Sequence, residues 1–236
     1  MQFSSQAAEW LHAFGAVFFP HLCAGCGSNN IGRDEAICLR CITHFPKTNF
    51  ADQPGNPVEK LFWGRIPVTA ACSQFYFTRS SITQSALHAL KYKGNKDAGI
   101  VMGRLLGYSL QQSGRFSNID GIIPLPLYPE KEKTRGYNQA TVIAKGVQDI
   151  LKIPLITDAI ARNRYTESQT HKNRIDRWKN VGGVFSLLKP EALQAKKILL
   201  IDDVITTGAS LEACGEVIFQ AGIKALYIAT LAFADQ

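Results

Sequence analysis

The spacing of apolar positions changes several times along the chain, and each change marks an element. VTAACSQFYF at 68–77 combines apolar, β-branched and aromatic residues and predicts a strand. SSITQSALHAL at 80–90 and AGIVMGRLLGYSLQQ at 98–112 return an apolar residue every three or four positions, which predicts helices. IDGIIPL at 119–125 follows as a strand and YNQATVIAKGVQDILK at 137–152 as a helix. KKILLIDDV at 196–204, ASLEACGEVIFQAG at 209–222 and ALYIATLAF at 225–233 complete the series as strand, helix and strand. Helices alternating with uninterrupted apolar strands imply an α/β fold whose sheet is mainly parallel and flanked by helices on both faces. No internal repeat or low-complexity tract interrupts the pattern.

The first 57 residues read differently. WLHAFGAVFF at 10–19 has the apolar content of a secretory signal, but no Lys or Arg precedes it and Glu9 stands where positive charge belongs. No stretch approaches the ~20 apolar residues of a membrane span. The expectation is a short helix over residues 5–19 that packs Trp10, Phe14, Val17 and Phe18, no transmembrane segment, and a cytoplasmic protein. Behind it come CAGC at 23–26 and CLRC at 38–41. Two residues between paired thiols let one tight turn present both sulfurs to one ion, and a short hairpin between the pairs completes a tetrahedron. In a reducing compartment such thiolates are better explained by Zn²⁺ than by disulfides. Cys23, Cys26, Cys38 and Cys41 would fill all four positions and make the metal structural, leaving His21 and His44 spare and Cys72 and Cys214 as core residues. PKTNFADQPGNP at 46–57, with three prolines and one glycine, reads as a linker that divides residues 1–57 from an α/β domain at 58–236.

Composition narrows the partners. At 236 residues, 46% apolar and 19% charged, the chain is neither disordered nor collagen-like. Lys and Arg number 26 against 19 acidic residues, a formal charge of +7, and that excess favours anionic ligands such as phosphorylated metabolites or nucleic acid.

The chemistry concentrates in ILLIDDVITTGAS at 198–210. In an open α/β sheet ligands sit beyond the carboxyl ends of strands, where the next helix presents free N–H groups. ILLI fills the strand, so Asp202 and Asp203 are expected at its carboxyl end, with Thr206, Thr207, Gly208, Ala209 and Ser210 forming the turn into a helix. Short hydroxyl side chains and a glycine let amides close on a phosphate. Two carboxylates beside such a cradle make sense if the ligand also carries hydroxyls, as a ribose 5-phosphate does. An apolar strand ending in Asp also occurs in nucleoside triphosphatases, but the G-x-x-x-x-G-K-[ST] loop they need is absent, as is G-x-G-x-x-G. A buried strand capped by acidic residues at a helix start is the plain structural alternative.

The same stretch resembles the phosphoribosyl pyrophosphate signature of type I phosphoribosyltransferases. The chain as a whole is similar to the ComF family of competence proteins, through CxxC…CxxC, KYKG at 91–94, PLPLYP with RGYNQA at 135–140, SQT at 168–170 and the DD-x-x-TTGAS loop. Ser210 stands where Thr is commoner, which keeps the hydroxyl. The resemblance implies a type I phosphoribosyltransferase-like α/β domain behind a four-cysteine zinc module. It implies that Asp202 and Asp203 meet the ribose diol, that residues 206–210 hold the 5-phosphate, and that Arg135, in the loop after 119–125, meets the pyrophosphate. Mg²⁺ would accompany the phosphoribosyl pyrophosphate, and a basic loop at 162–180, with six Lys/Arg against two acidic residues, would close over it.

That segment also suits single-stranded DNA, since cations interleaved with rings can follow a phosphodiester backbone and stack on bases. Arg164, Lys172, Arg174, Arg177 and Trp178 carry this reading together with Lys91, Tyr92 and Lys93, and a solvated charged helix is the plain alternative for each patch. Similarity to the ComF family implies DNA uptake in natural transformation, with other competence proteins such as a DNA helicase as partners. The alternatives are an active transferase with an unidentified acceptor, or a sensor of the phosphoribosyl ligand.

Overall fold

Among the described residues six strands follow one another: β1 (Val68–Tyr76), β2 (Gly121–Pro124), β3 (Ile160–Arg162), β4 (Phe185–Leu187), β5 (Lys197–Ile205) and β6 (Ala225–Phe233). In the computed structural model, which describes residues 21–163 and 183–234, four of them form one parallel sheet in the order β1-β6-β5-β2. Ile198, Leu199, Leu200 and Ile201 of β5 are fully buried, as the uninterrupted apolar run requires of a central strand covered on both faces.

Seven helices accompany the strands among the described residues: α1 (Leu39–His44), α2 (Pro57–Lys60), α3 (Ile82–Tyr92), α4 (Lys96–Gln112), α5 (Pro129–Arg135), α6 (Gln139–Leu151) and α7 (Ala209–Phe219). Four start on side-chain caps: Asn56 accepts from the N–H groups of Val58 and Glu59, Ser81 from Gln84, Asn95 from Ala98, and Asn138 from Ala140. Adjacent residues of β6 show that both faces of the sheet are covered. Leu226 packs toward Gly215 of α7, whereas the Tyr227 ring meets Phe116, just beyond α4, at a centroid distance of 5.9 Å. Helices α4 and α6 touch backbone to backbone. A Cβ on Gly103 would lie 2.2 Å from the carbonyl oxygen of Ile143, and one on Gly146 would lie 2.3 Å from that of Ile100.

Several expectations need correction. Residues 46–57 are built into the protein: Thr48 N–H donates to Gln74 O at 3.1 Å and Tyr76 N–H to Pro46 O at 2.8 Å, so the segment lines the outer edge of β1. Asn56 ties it down by donating to the carbonyls of Phe50, Gln53 and Ala71, and Phe50 is buried against Tyr76 and Phe233. The prolines and glycine turn the chain without detaching it, and the segment screens an edge strand that would otherwise be open to pairing. Strand β5 runs to Ile205, one residue past the 196–204 expected, so Asp202 and Asp203 lie within it and not at its carboxyl end. The stretch after β2 holds helix α5, and the antiparallel pair β3-β4 was not anticipated. The helix expected at 5–19, with Trp10, Phe14, Val17 and Phe18, lies outside the described residues.

Gly103→Ala is expected to destabilise at the upper end of the ~1–3 kcal/mol of ordinary overpacking, because the obstacle is a rigid backbone carbonyl. Urea denaturation checks this against Gly114→Ala, where a Cβ meets nothing within 4 Å.

Candidate functional site

The four cysteines converge. Cys23 and Cys41 place their sulfurs 3.7 Å apart, Cys26 and Cys38 place theirs 3.8 Å apart, and all four lie within 4.8 Å of one another. A tetrahedron of sulfurs at the Zn–S distance has edges of ~3.8 Å, so the set is the right size for one such ion. Turns make the arrangement: Gly27, at φ 73°, closes the first pair by donating to Cys23 O, and Cys38 caps α1 so that Cys41 follows one turn later. Burial pushes the Cys23 thiol up, but N–H groups of Cys38, Cys26 and Gly25 and the Cys38 thiol outweigh it and bring it down to about 6. Burial and the neighbouring thiols push Cys41 the other way. Four thiolates this close need a cation, and the cluster could hold a metal ion. Gly25 seats the module on α3, since a Cβ there would lie 2.8 Å from Ile82 Cγ2.

The second site opens where β2 stops. Pro124 is its last residue and pairs with Ile201, so from Asp202 onward β5 keeps a strand neighbour on the β6 side alone. Asp202 and Asp203 flank this crevice, both partly buried. Asp203 N–H donates to Asp202 Oδ1 at 2.8 Å, and Lys91 Nζ lies 2.7 Å from Asp203 Oδ2. Burial, then the charge of Asp203, push the Asp202 carboxyl up to about 8 against the opposing pull of Asp203 N–H, Lys91 and Arg162. Beyond the strand, Thr206, Thr207, Ala209 and Ser210 are exposed and Gly208 takes φ 75° at the start of α7. A side chain at Gly208 would also meet the Phe62 ring at 3.1 Å, so glycine is required twice over. The first helical amide that can reach the Gly208 carbonyl is Glu212 N–H. The amides of Ser210 and Leu211 therefore face outward, which is the anion-binding property of a helix start.

Arg135 ends α5, with its guanidinium 5.7 Å from the Tyr92 ring centre. It shares a cavity of about 560 Å³ with Lys91, Tyr92, Glu130, Lys131 and Tyr137. The KYKG patch is divided by this geometry. Lys91, assigned to nucleic acid from its sequence, turns its ammonium to Asp203, and Tyr92 stays 69% exposed. Lys93 lines a separate groove of about 840 Å³ between α3 and the cysteine module, alongside Cys23, Cys26 and His88. Arg164, Lys172, Arg174, Arg177 and Trp178 lie outside the described residues.

The sequence reading missed Arg162 as an ordered part of the site. It ends β3, and its guanidinium carbon lies 4.1 Å from the Tyr128 ring centre and 5.2 Å from that of Phe185. Its buried Nε has no hydrogen-bond partner among the described residues. Asn163 Nδ2 donates to Gly183 O at 2.5 Å, which ties together the two ends that bracket residues 164–182. The β3-β4 pair is too short for a period-2 pattern to reveal. Helix α5 did leave a signal, Pro129 at its first position and Gly136 just past its end.

No family model matches the chain. It is similar to competence protein F of Haemophilus influenzae, 26% identical over 92% of this chain and 86% of that protein. It is similar to the DNA utilization protein YhgH of Escherichia coli O157:H7, 25% identical over 88% of each. To competence protein ComFC of Bacillus subtilis it is 27% identical over 62% of this chain and 57% of the relative. The chain is thus ComF-like along nearly its whole length. Among solved structures, glutamine phosphoribosylpyrophosphate amidotransferase of Bacillus subtilis aligns with 58% of this chain and 26% of its own, at a TM-score of 0.44 and 18% identity. No helix among the described residues is long and apolar enough to cross a membrane.

Two outcomes follow from this geometry. Asp202 keeps its proton up to about 8 in the folded chain but loses it near 3.8 when unfolded, so in that window the folded state binds more protons. Stability should therefore fall as pH rises between 4 and 8, by up to ~1.4 kcal/mol per pH unit, and Asp202→Asn should flatten this contribution in urea titrations at pH 5 and 9. Cys23→Ser should lower both bound metal, read by atomic absorption, and the melting temperature.

Proposed function

We propose that this chain is a DNA-handling protein of natural transformation that binds a phosphoribosyl pyrophosphate-type ligand in the crevice beside β5 and single-stranded DNA on its basic surface. The observation that carries the reading is the crevice at the end of β2, with Asp202 and Asp203 on one side and the outward amides of the α7 start close behind them in sequence. That pairing of acids with an amide cradle suits one molecule that bears both a diol and a terminal phosphate. Asp202 and Asp203 take the ribose hydroxyls, residues 206–210 take the 5-phosphate, and Arg135 takes the pyrophosphate at the rim of the α5 cavity. Mg²⁺ bound with the ligand would offset its phosphate charge.

The four-cysteine module fits a structural zinc ion, because sulfur occupies every position of the tetrahedron and leaves none for substrate. Binding of DNA is supported by the names of the relatives, competence protein F and DNA utilization protein, and by the net charge of +7. Tyr92 and Lys93 are its exposed described contributors, and Arg164, Lys172, Arg174, Arg177 and Trp178 are further ones. Competence proteins such as a DNA helicase are candidate partners, and the cytoplasm is the compartment in which thiolates and phosphoribosyl pyrophosphate coexist.

A second reading is favoured by Asp202, whose carboxyl titrates near neutrality, where a general base is useful. In it an acceptor nucleophile forms a bond to C1 of the ribose as pyrophosphate leaves, and Asp202 receives the acceptor's proton. Release of pyrophosphate in the presence of nucleobases or oligonucleotides supports that transferase; binding without release leaves the ligand a signal or a structural effector.

Calorimetry with phosphoribosyl pyrophosphate and Mg²⁺ should give saturable binding that is lost in the Asp202→Ala, Asp203→Ala double variant, whereas silence in the intact protein refutes the pocket. An electrophoretic shift with single-stranded oligonucleotides should weaken steeply between 50 and 200 mM salt, as counterion release demands, and absence of any shift at low salt refutes the DNA reading.

A further inference from the structure

The ammonium of Lys91 has two places to be. It pairs with Asp203 Oδ2 at 2.7 Å, and its side chain also lines the cavity that holds Lys131 and Arg135. The pair is well screened from water, with the Lys91 side chain 25% and the Asp203 side chain 13% exposed. Asp202 Oδ1 already accepts Asp203 N–H, so each carboxylate of the pair has an oxygen in use. One oxygen of each stays open, and a diol that closes on Asp203 with both hydroxyls must compete with Lys91 for Oδ2. A lysine that yields keeps its charge at the end of a flexible four-carbon stem, beside a cavity lined by two further cations, Lys131 and Arg135, and one acid, Glu130.

We infer that Lys91 is a specificity-determining residue that guards Asp203 until a ribose diol displaces it and then completes a three-cation site for the pyrophosphate, so that the intact ligand is preferred over either fragment. This rests on the phosphoribosyl reading above and adds a constraint to it. Pyrophosphate alone meets two available cations, because Asp203 retains the third. Ribose 5-phosphate alone must break an ion pair and gains nothing from the freed ammonium. The intact ligand breaks the pair and uses both halves. The coupling is local: diol and pyrophosphate belong to one molecule, and one side chain senses the first and answers the second.

The test is calorimetry on the full chain with Mg²⁺ and three probes: inorganic pyrophosphate, ribose 5-phosphate and phosphoribosyl pyrophosphate. Asp203→Asn, an isosteric change that releases Lys91, should tighten pyrophosphate binding about tenfold, the scale of one charge-assisted hydrogen bond. Lys91→Met, which keeps the stem and removes the charge, should weaken phosphoribosyl pyrophosphate about tenfold yet bind ribose 5-phosphate more tightly than the intact chain does. In the combined variant the pyrophosphate gain should vanish. Opposite signs for two ligands in one variant cannot come from misfolding, which weakens both. The inference is overturned if Lys91→Met weakens ribose 5-phosphate, or if the Asp203→Asn gain survives without Lys91, since the gain would then be general relief of negative charge. If the unaltered protein binds the intact ligand and Lys91→Met does not change that affinity, this inference fails and the phosphoribosyl reading stands. If the unaltered protein binds none of the three probes, both fail.

Discussion

Strand β5 outruns its neighbour β2, and the rest of the candidate site is arranged around that mismatch. From Ile198 to Ile201 the strand lies between partners and under helices, and its side chains are apolar because an unpaired polar group would be costly to bury there. After Pro124 one side of the strand is uncovered, and the first residues past that point are Asp202 and Asp203. The two acids are tolerated there because Asp202 keeps its proton and Asp203 is paired with Lys91. The chain then leaves the strand through Gly208, whose positive φ and closeness to Phe62 exclude other residues, and enters α7 with its first amides outward. One topological step thus sets acids and an anion-binding helix start along a single crevice.

The charges in the crevice are mutually dependent. Asp202 is partly buried beside Asp203 and holds its proton up to about 8, while Asp203 is neutralised by Lys91. Arg162, stacked on Tyr128 and Phe185, lends positive charge from the β3-β4 side. Cations therefore reach the acidic pair from two elements far apart in the chain, α3 and β3. The proposed ligand of mixed character suits this charge pattern, because a bare polyanion would meet the aspartates and a neutral sugar would leave the cations without a partner.

The cysteine module is tied to the same body. Gly25 approaches Ile82 at the start of α3, and the other end of α3 supplies Lys91, so one helix spans the distance between the cysteine cluster and the crevice. The stretch between the module and the sheet is held by Asn56 and Phe50 along the edge of β1, which shields that edge and leaves little slack between the two parts.

Periodicity alone determined the identity of all four sheet strands, the helices α3, α4, α6 and α7, and the parallel class of the sheet, because a strand buried on both faces must be continuously apolar and an amphipathic helix must repeat every three to four residues. Spacing likewise determined that the four cysteines would meet, since a turn of two residues brings paired thiols to one point whatever follows. Tertiary structure decided the rest. The linker character of 46–57 was overruled by hydrogen bonds to β1 and to Ala71 that no local pattern encodes. The division of KYKG into Lys91 at Asp203 and Lys93 at the cysteine groove depends on where α3 ends relative to β5, more than a hundred residues away. Arg162 enters the site because a three-residue strand pairs with another across an intervening segment. Backbone preference and burial are written locally in a sequence, whereas the partner of a charge is set by what the fold brings beside it.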